Sequence, residues 1–279
     1  MNKQSEVNMK NTVTGTIKKM VAHAECNETA VYSLPIADKV IPMNALIGKQ
    51  ITLTCIGTIN CVHCGAATNR SYKQGYCQTC ADTLQELADC NLKPERCRHE
   101  TGSCAKPHFI YLSHTGSAKV GITRNIDTVV SSRWVDQGAT TAVPIIKTKN
   151  RNIAGIIEVF MKDYISDRTN WRKMLADVPF SREIEEERIS LKGVVQRYID
   201  KLNARFESEV AQWIDDADVV GIKYPVNAYP EKVKTIAFDI GQEMTLTLEG
   251  IKGQYLIFSD VVMNVRKFAG YNFTLSYED

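Results

Sequence analysis

Apolar and polar positions change their period several times along this chain, and each change predicts a different element. Thr12 to Ile17, Ala30 to Leu34 and Lys49 to Ile59 are rich in Val, Ile and Thr, lack helical periodicity, and are separated by turns at Asn27-Glu28 and Ile47-Gly48. That texture predicts strands. It returns at the other end in Thr235-Ile236-Ala237-Phe238, Met244 to Leu248, Gln254 to Phe258 and Val261 to Val265. Ile47-Gly48-Lys49-Gln50-Ile51-Thr52-Leu53-Thr54, with Gly57, parallels Ile240-Gly241-Gln242-Glu243-Met244-Thr245-Leu246-Thr247, with Gly250. The echo predicts one β-barrel or sandwich built from both ends, with the intervening chain inserted into it.

The middle of the chain reads differently. Phe109-Ile110-Tyr111-Leu112 and Val120-Gly121-Ile122 flank the turn residues Thr115-Gly116-Ser117, a hairpin signal. A third apolar run, Ala142 to Ile146, is followed by Ile153, Ile156, Ile157, Phe160, Met161, Tyr164 and Ile165 at helical spacing, with Glu158 just beyond the edge of the stripe. A short helix over Arg172 to Ala176 is closed by Pro179. A long one then starts at Ser181 as N-cap, with Glu183, Glu185, Glu186 and Glu187 in its first turns, and its stripe runs through Leu191, Val195, Tyr198, Leu202, Phe206 and Val210 to Trp213. Gly193 is a candidate break. The expected class is α+β. N-terminal strands (1–60), a Cys-rich segment (61–107), a small sheet with helices (108–178) and a helical segment (179–218) precede C-terminal strands (219–279) that pack with the first.

At 279 residues and 44% hydrophobic, the chain has the means to bury a substantial core. No apolar run near the N-terminus suits a signal peptide or membrane span, so a cytoplasmic protein without a membrane partner is expected. The net charge of +2 is uneven: residues 1–178 carry 22 Lys and Arg against 15 Asp and Glu, and the remainder is net acidic. A basic front half suits a polyanionic partner such as DNA or RNA, or is simply an unevenly charged surface.

Nine cysteines crowd mostly between Cys55 and Cys104, which in a chain with no export signal favours metal over disulfides. Cys61, Cys64, Cys77 and Cys80 form C-x2-C-x12-C-x2-C, two knuckles that converge on one structural zinc, with Gly65 and Gly75 supplying backbone freedom. Cys90, Cys97, His99 and Cys104, with His108 as an alternative fourth ligand, suit a second zinc or are unrelated loop thiols. Cys26 and Cys55 read as ordinary strand residues.

The order Tyr111, Lys119-Val120-Gly121, Arg133 in Ser131-Ser132-Arg133-Trp134, Glu158 and Asn170 resembles the GIY-YIG nuclease domain over residues 108–171, about a quarter of the chain. Ile110-Tyr111 stands at the end of that family's first motif, without its preceding Gly, and Lys119 replaces the second motif's tyrosine. A Lys-Ile-Gly variant occurs in phage-type relatives described mainly as DNA-binding. The resemblance implies a catalytic set of Tyr111, Lys119, Arg133, Glu158 and Asn170, with one Mg²⁺ or Mn²⁺ on Glu158. Arg124, Gln137, Lys147, Lys149 and Arg151 are candidate contacts to nucleic acid. The residue types suit phosphodiester hydrolysis: Tyr111 as general base beside the Lys119 cation, Arg133 forked on phosphate oxygens, Glu158 holding the metal. Each has a plainer reading, as a strand tyrosine, a polar strand residue, an Arg133–Asp136 ion pair, a surface carboxylate, and an N-cap asparagine. Trp134 is expected in the core. Over its whole length the chain also resembles a bacterial family that combines a Cys-rich stretch with Lys-Val-Gly-Ile-Thr-Arg, Arg-Trp-(Val/Ile)-Asp-Gln-Gly-Ala and Asp-(Lys/Arg)-Thr-Asn-Trp, a resemblance that implies no activity. The expectation is a metal-dependent nuclease with structural zinc. Its alternatives are a nucleic-acid-binding module that lost the chemistry and an RNA-modifying enzyme reusing the cleft. No glycine-rich phosphate loop is present for a nucleotide cofactor.

Overall fold

The computed structural model describes residues 10–84, 89–124, 126, 130–176 and 183–278. The chain divides into two compact units, the first made of residues 1–22, 31–84 and 224–279, the second of 23–30 and 85–223. The class is α+β, with mostly antiparallel sheets. The expected boundaries move accordingly: the Cys-rich segment is shared between the units at Leu84, and the terminal strands belong together from Tyr224 onward.

Strands of the first unit are β1 (Lys10–Thr16), β2 (Val21–His23), β3 (Val31–Ile36), β4 (Lys39–Pro42), β5 (Gln50–Asn60), β6 (Ala67–Thr68), β12 (Glu243–Lys252), β13 (Tyr255–Phe258), β14 (Val262–Asn264) and β15 (Tyr271–Glu278), with one helix, α1 (Gln78–Thr83). They form a sheet in the order β1-β15-β5-β12-β13-β14, with β6 also on β5, and a three-stranded sheet β2-β3-β4. The central strand β5 thus lies between two strands from the far end of the chain. Its alternate residues Ile51, Leu53 and Cys55 are buried with Phe273 and Leu275.

This unit is an internal repeat. Hairpin β3–β4, the 3-10 turn Met43–Leu46, Gly48 at φ +84° and β5 match hairpin β13–β14, the 3-10 turn Val265–Phe268, Gly270 at φ +92° and β15. Strand β1 matches β12. Equivalent bonds recur: Gly48 N donates to Leu248 O at 2.7 Å and Gly270 N to Ile17 O at 2.9 Å, while Thr52 bonds Thr245 and Thr14 bonds Thr274, both at 2.9 Å. Leu53 pairs across the central ladder with Leu275, its own counterpart in the other half. The correspondence differs from the one expected: Ile47 to Thr54 matches Ala269 to Ser276, not Ile240 to Thr247. Both echoes alternate Leu with small hydroxyl residues (Thr52-Leu53-Thr54, Thr245-Leu246-Thr247, Thr274-Leu275-Ser276), as a half-exposed strand does, and only pairing register separates them.

The second unit holds a sheet in the order β10-β9-β7-β8, with β11 also on β9. Its elements are α2 (Gly102–Ala105), β7 (His108–His114), β8 (Ala118–Thr123), α3 (Ser132–Asp136), β9 (Thr141–Thr148), α4 (Arg151–Met161), α5 (Trp171–Met174), α6 (Ile184–Arg205), β10 (Ala211–Trp213) and β11 (Val220–Gly221). Ile110, Leu112, Val120, Val143 and Ile146 of the sheet form one core with Ile153 and Ile157 of α4 and Leu191, Val195 and Ile199 of α6. The long helix runs through Gly193 unbroken but stops at Arg205, short of the expected end. Glu207 takes a left-handed φ of +50°, and the Asn203 amide bonds the returning backbone at Val210 N (2.9 Å) and Ala211 O (2.9 Å). Val210 and Trp213 continued the helical stripe only because the strand that follows faces the same core. Pro179 and Ser181 lie outside the described residues, and Glu183 is the N-cap.

Candidate active site and metal centres

The β7–β8 hairpin turns one row of side chains into the core and the other toward α3. Tyr111 lies opposite Gly121 and Ser113 opposite Lys119, while Ile110 and Leu112 point the other way. Tyr111 is 0% exposed, with its ring edge-on to Trp134 at 5.7 Å. A Cβ at position 121 would lie 2.5 Å from the Tyr111 hydroxyl, so the glycine in Lys119-Val120-Gly121 is what admits the tyrosine. Trp134 is buried in the core as expected.

Gln137 caps the C-terminal end of α3, and its Oε1 accepts two hydrogen bonds, from Tyr111 OH at 2.8 Å and Lys119 Nζ at 3.2 Å. Burial raises the Tyr111 phenol above its usual value. The nearby Arg133 guanidinium opposes that shift, also through a hydrogen bond, and Glu158 reinforces it. Lys119 is 4% exposed and is lowered to about 8, first by burial and then by Arg133, with Glu158 and Asp167 pulling it back. Glu158 is half-buried and raised, first by burial; Lys162, Arg133 and Lys119 oppose the shift and Asp167 adds to it. Tyr111, Lys119, Arg133 and Glu158 therefore sense one another's charge, with Arg133 exposed to solvent. Lys119 is not among the groups that lower Tyr111, whose burial outweighs the opposing Arg133 cation.

Asn170 is exposed and caps α5, its Oδ1 accepting from Lys173 N at 3.2 Å, so its side chain is engaged in the N-cap role. Of the expected nucleic-acid contacts, Arg124, Lys147 and Lys149 are exposed. Gln137 is committed to Tyr111 and Lys119. Arg151 is tied to the Cys-rich loop, its Nη1 donating to Cys90 O at 3.3 Å. Two further residues belong to this neighbourhood. Asp167 pairs with Lys162 at 2.8 Å, and the Ser113 hydroxyl is buried with no hydrogen-bond partner among the described residues. The alternation of β7 was the one signal for Ser113, whose parity is that of Tyr111.

Cys61, Cys64, Cys77 and Cys80 converge in the first unit with their sulfurs within 4.8 Å of one another, Cys64 and Cys77 at 3.8 Å. Tetrahedral zinc with bonds of ~2.3 Å requires sulfurs ~3.8 Å apart, so the set fits the ion. Burial pushes Cys80 up to about 12, with the other three thiols adding, whereas backbone N–H groups of Cys64, Cys77 and His63 outweigh burial and hold Cys61 at about 6. In the second unit Cys90, Cys97 and Cys104 are buried together, Cys90 and Cys104 at 4.0 Å. Neither histidine joins them. His99 is exposed, and His108 is 0% exposed with Nδ1 on Lys106 O at 2.8 Å and Nε2 without a partner among the described residues. The loop holding these cysteines is pressed onto α4. Gly155 leaves no room for a Cβ against the Pro94–Glu95 backbone, and Asn152 Nδ2 donates to Glu95 O at 2.8 Å.

Taken together, these features define an α+β protein with two thiol clusters able to hold zinc and a separate coupled set of Tyr, Lys, Arg and Glu. The chain belongs to the family described as Protein of unknown function (DUF2797), whose model matches residues 48–273. No curated protein and no solved structure matches it. Among the described residues, no helix is long and apolar enough to cross a membrane.

Proposed function

We propose that the second unit is a metal-dependent phosphodiesterase acting on nucleic acid, of the GIY-YIG type. The observation carrying this reading is the electrostatic coupling of Tyr111, Lys119, Arg133 and Glu158 about Gln137. Arg133, exposed on α3, forks onto phosphate oxygens. Lys119, with its affinity for a proton lowered to about 8, accepts the proton of the attacking water. Tyr111 stays protonated and, through Gln137, holds the Lys119 amine in place. Glu158 is a carboxylate raised by burial and by Asp167, and a cation beside it relieves both. It belongs to no cluster of three metal-ligating side chains among the described residues. That suits magnesium or manganese, which bind through one or two carboxylates plus substrate phosphates. When bound, the ion supplies Lewis-acid stabilisation of the phosphate.

A second reading, a nucleic-acid-binding module without cleavage, is favoured by the burial of Tyr111 and Lys119. The two separate in one experiment. Labelled DNA and RNA are incubated with the full chain in Mg²⁺ or Mn²⁺, and binding is followed in parallel against salt. Cutting that Glu158→Ala and Arg133→Ala abolish supports the enzyme. Salt-sensitive binding with no cutting in either metal supports the module. Cutting retained in both variants eliminates the proposed site.

A further inference from the structure

The three-cysteine cluster carries an inference independent of the phosphodiesterase reading. The loop carrying Cys90, Cys97 and Cys104 is anchored on α4 by the Arg151 bond to Cys90 O, the Asn152 bond to Glu95 O and the backbone apposition at Gly155. Their sulfurs lie within 4.8 Å of one another, and no described His, Asp or Glu completes the group. Cys97 also lines a cleft of about 420 Å³ with Glu95, Arg96, Arg98 and Asn152. A site with three protein ligands is the arrangement of a zinc that keeps a position for an outside donor, unlike the closed four-cysteine set.

We propose that Cys90, Cys97 and Cys104 bind zinc through three thiolates, and that the fourth position opens on this cleft and takes the sulfur of a small thiol carrying an anionic group. Three thiolates on a divalent ion favour a soft fourth donor. In the cleft walls Arg96 pairs with Glu95 at 3.9 Å, which leaves the Arg98 guanidinium to suit a carboxylate tail on the incoming thiol. As its sulfur binds, the thiol releases its proton to solvent and nothing is oxidised or reduced.

The full-length protein is loaded with Co²⁺ and titrated with 3-mercaptopropionate and, separately, with cysteamine, following the thiolate-to-cobalt charge-transfer band. The four-cysteine site is coordinatively closed, so a rise in that band reports the three-cysteine site. The expected result is a saturable rise with 3-mercaptopropionate, weaker with cysteamine, with Arg98→Glu reducing the preference about fivefold, the effect of roughly 1 kcal/mol from one rim charge. Zinc content is two per chain and is unchanged in His99→Ala. Loss of one zinc or an altered cobalt spectrum in His99→Ala means that His99 closes the site, and overturns the proposal. So does a wild-type spectrum that neither thiol changes, or tighter binding of cysteamine. Cys97→Ser, expected to lose one zinc, is an independent check, and retention of both zincs in it overturns the assignment of the cluster.

Discussion

Replacing Lys119 with Met separates the stability of the second unit from its proposed chemistry. Lys119 is 4% exposed, and its folded-state value is lowered from 10.5 to about 8. A group lowered in this way opposes folding whenever it is charged in the unfolded chain. The penalty is fully present below pH 8 and is relieved as pH rises from 8 to 10.5, where the unfolded state binds more protons than the folded one. At roughly 1.4 kcal/mol per unit, the penalty near neutrality is about 3 kcal/mol. Methionine fills similar volume without charge. It forfeits the bond from Nζ to Gln137, worth about 1 kcal/mol, but leaves no orphan, because Tyr111 still donates to the same oxygen. The variant should therefore be about 2 kcal/mol more stable at pH 7, with the gain shrinking through the window above pH 8. All three tryptophans, Trp134, Trp171 and Trp213, lie in the second unit, so urea unfolding followed by their fluorescence reads that unit alone. The same variant should lose cleavage by a factor on the order of 100 or more. A stability gain coupled to lost activity is what a strained functional group produces. A Lys119→Met protein that is destabilised, by an amount constant from pH 7 to 10.5, refutes the buried-cation argument.

Other outcomes follow from packing and metal. Gly121→Ala drives its methyl into the Tyr111 hydroxyl and should cost about 1–3 kcal/mol, part of it recovered in a double variant with Tyr111→Phe, as a double-mutant cycle in urea measures. Gly155→Ala meets backbone, not a movable side chain, at Pro94–Glu95. It should displace the Cys90–Cys104 loop from α4 and lower zinc content by one per chain in metal analysis. Chelation of the four-cysteine zinc should expose residues 61–80 to limited proteolysis within the first unit, and re-addition of zinc should restore protection. Protection unchanged by chelation would mean that the knuckles hold without metal.

Most of the architecture was legible where local chemistry dominates. The Cys61–Cys80 spacing, the β7–β8 hairpin and the stripe of α4 each follow from residues close together in sequence. The grouping of Tyr111, Lys119, Arg133 and Glu158 was expected from a family resemblance, and the position of Glu158 at the edge of its stripe allowed it; the structure places the four within electrostatic reach of one another. What escaped depends on register and burial. The repeat in the first unit misled because alternation of Leu with small hydroxyl residues fits several strands equally, and only the Leu53–Leu275 pairing selects one match. The Tyr111 environment misled because proximity of a cation is visible in sequence order, whereas desolvation, the larger effect, depends on Trp134 and α3 packing over the ring. The commitment of Gln137 to two buried donors was hidden for the same reason.

The central claim is that Arg133 and Glu158 serve one reaction centre. Its most direct test is metal-dependent cleavage by the wild type, Arg133→Ala, Glu158→Gln and the double variant under one set of conditions. Residues acting as a unit lose activity non-additively, so the double variant should cut no more slowly than the slower single one. Losses that multiply, or single variants that cut as fast as the wild type, would contradict a shared centre.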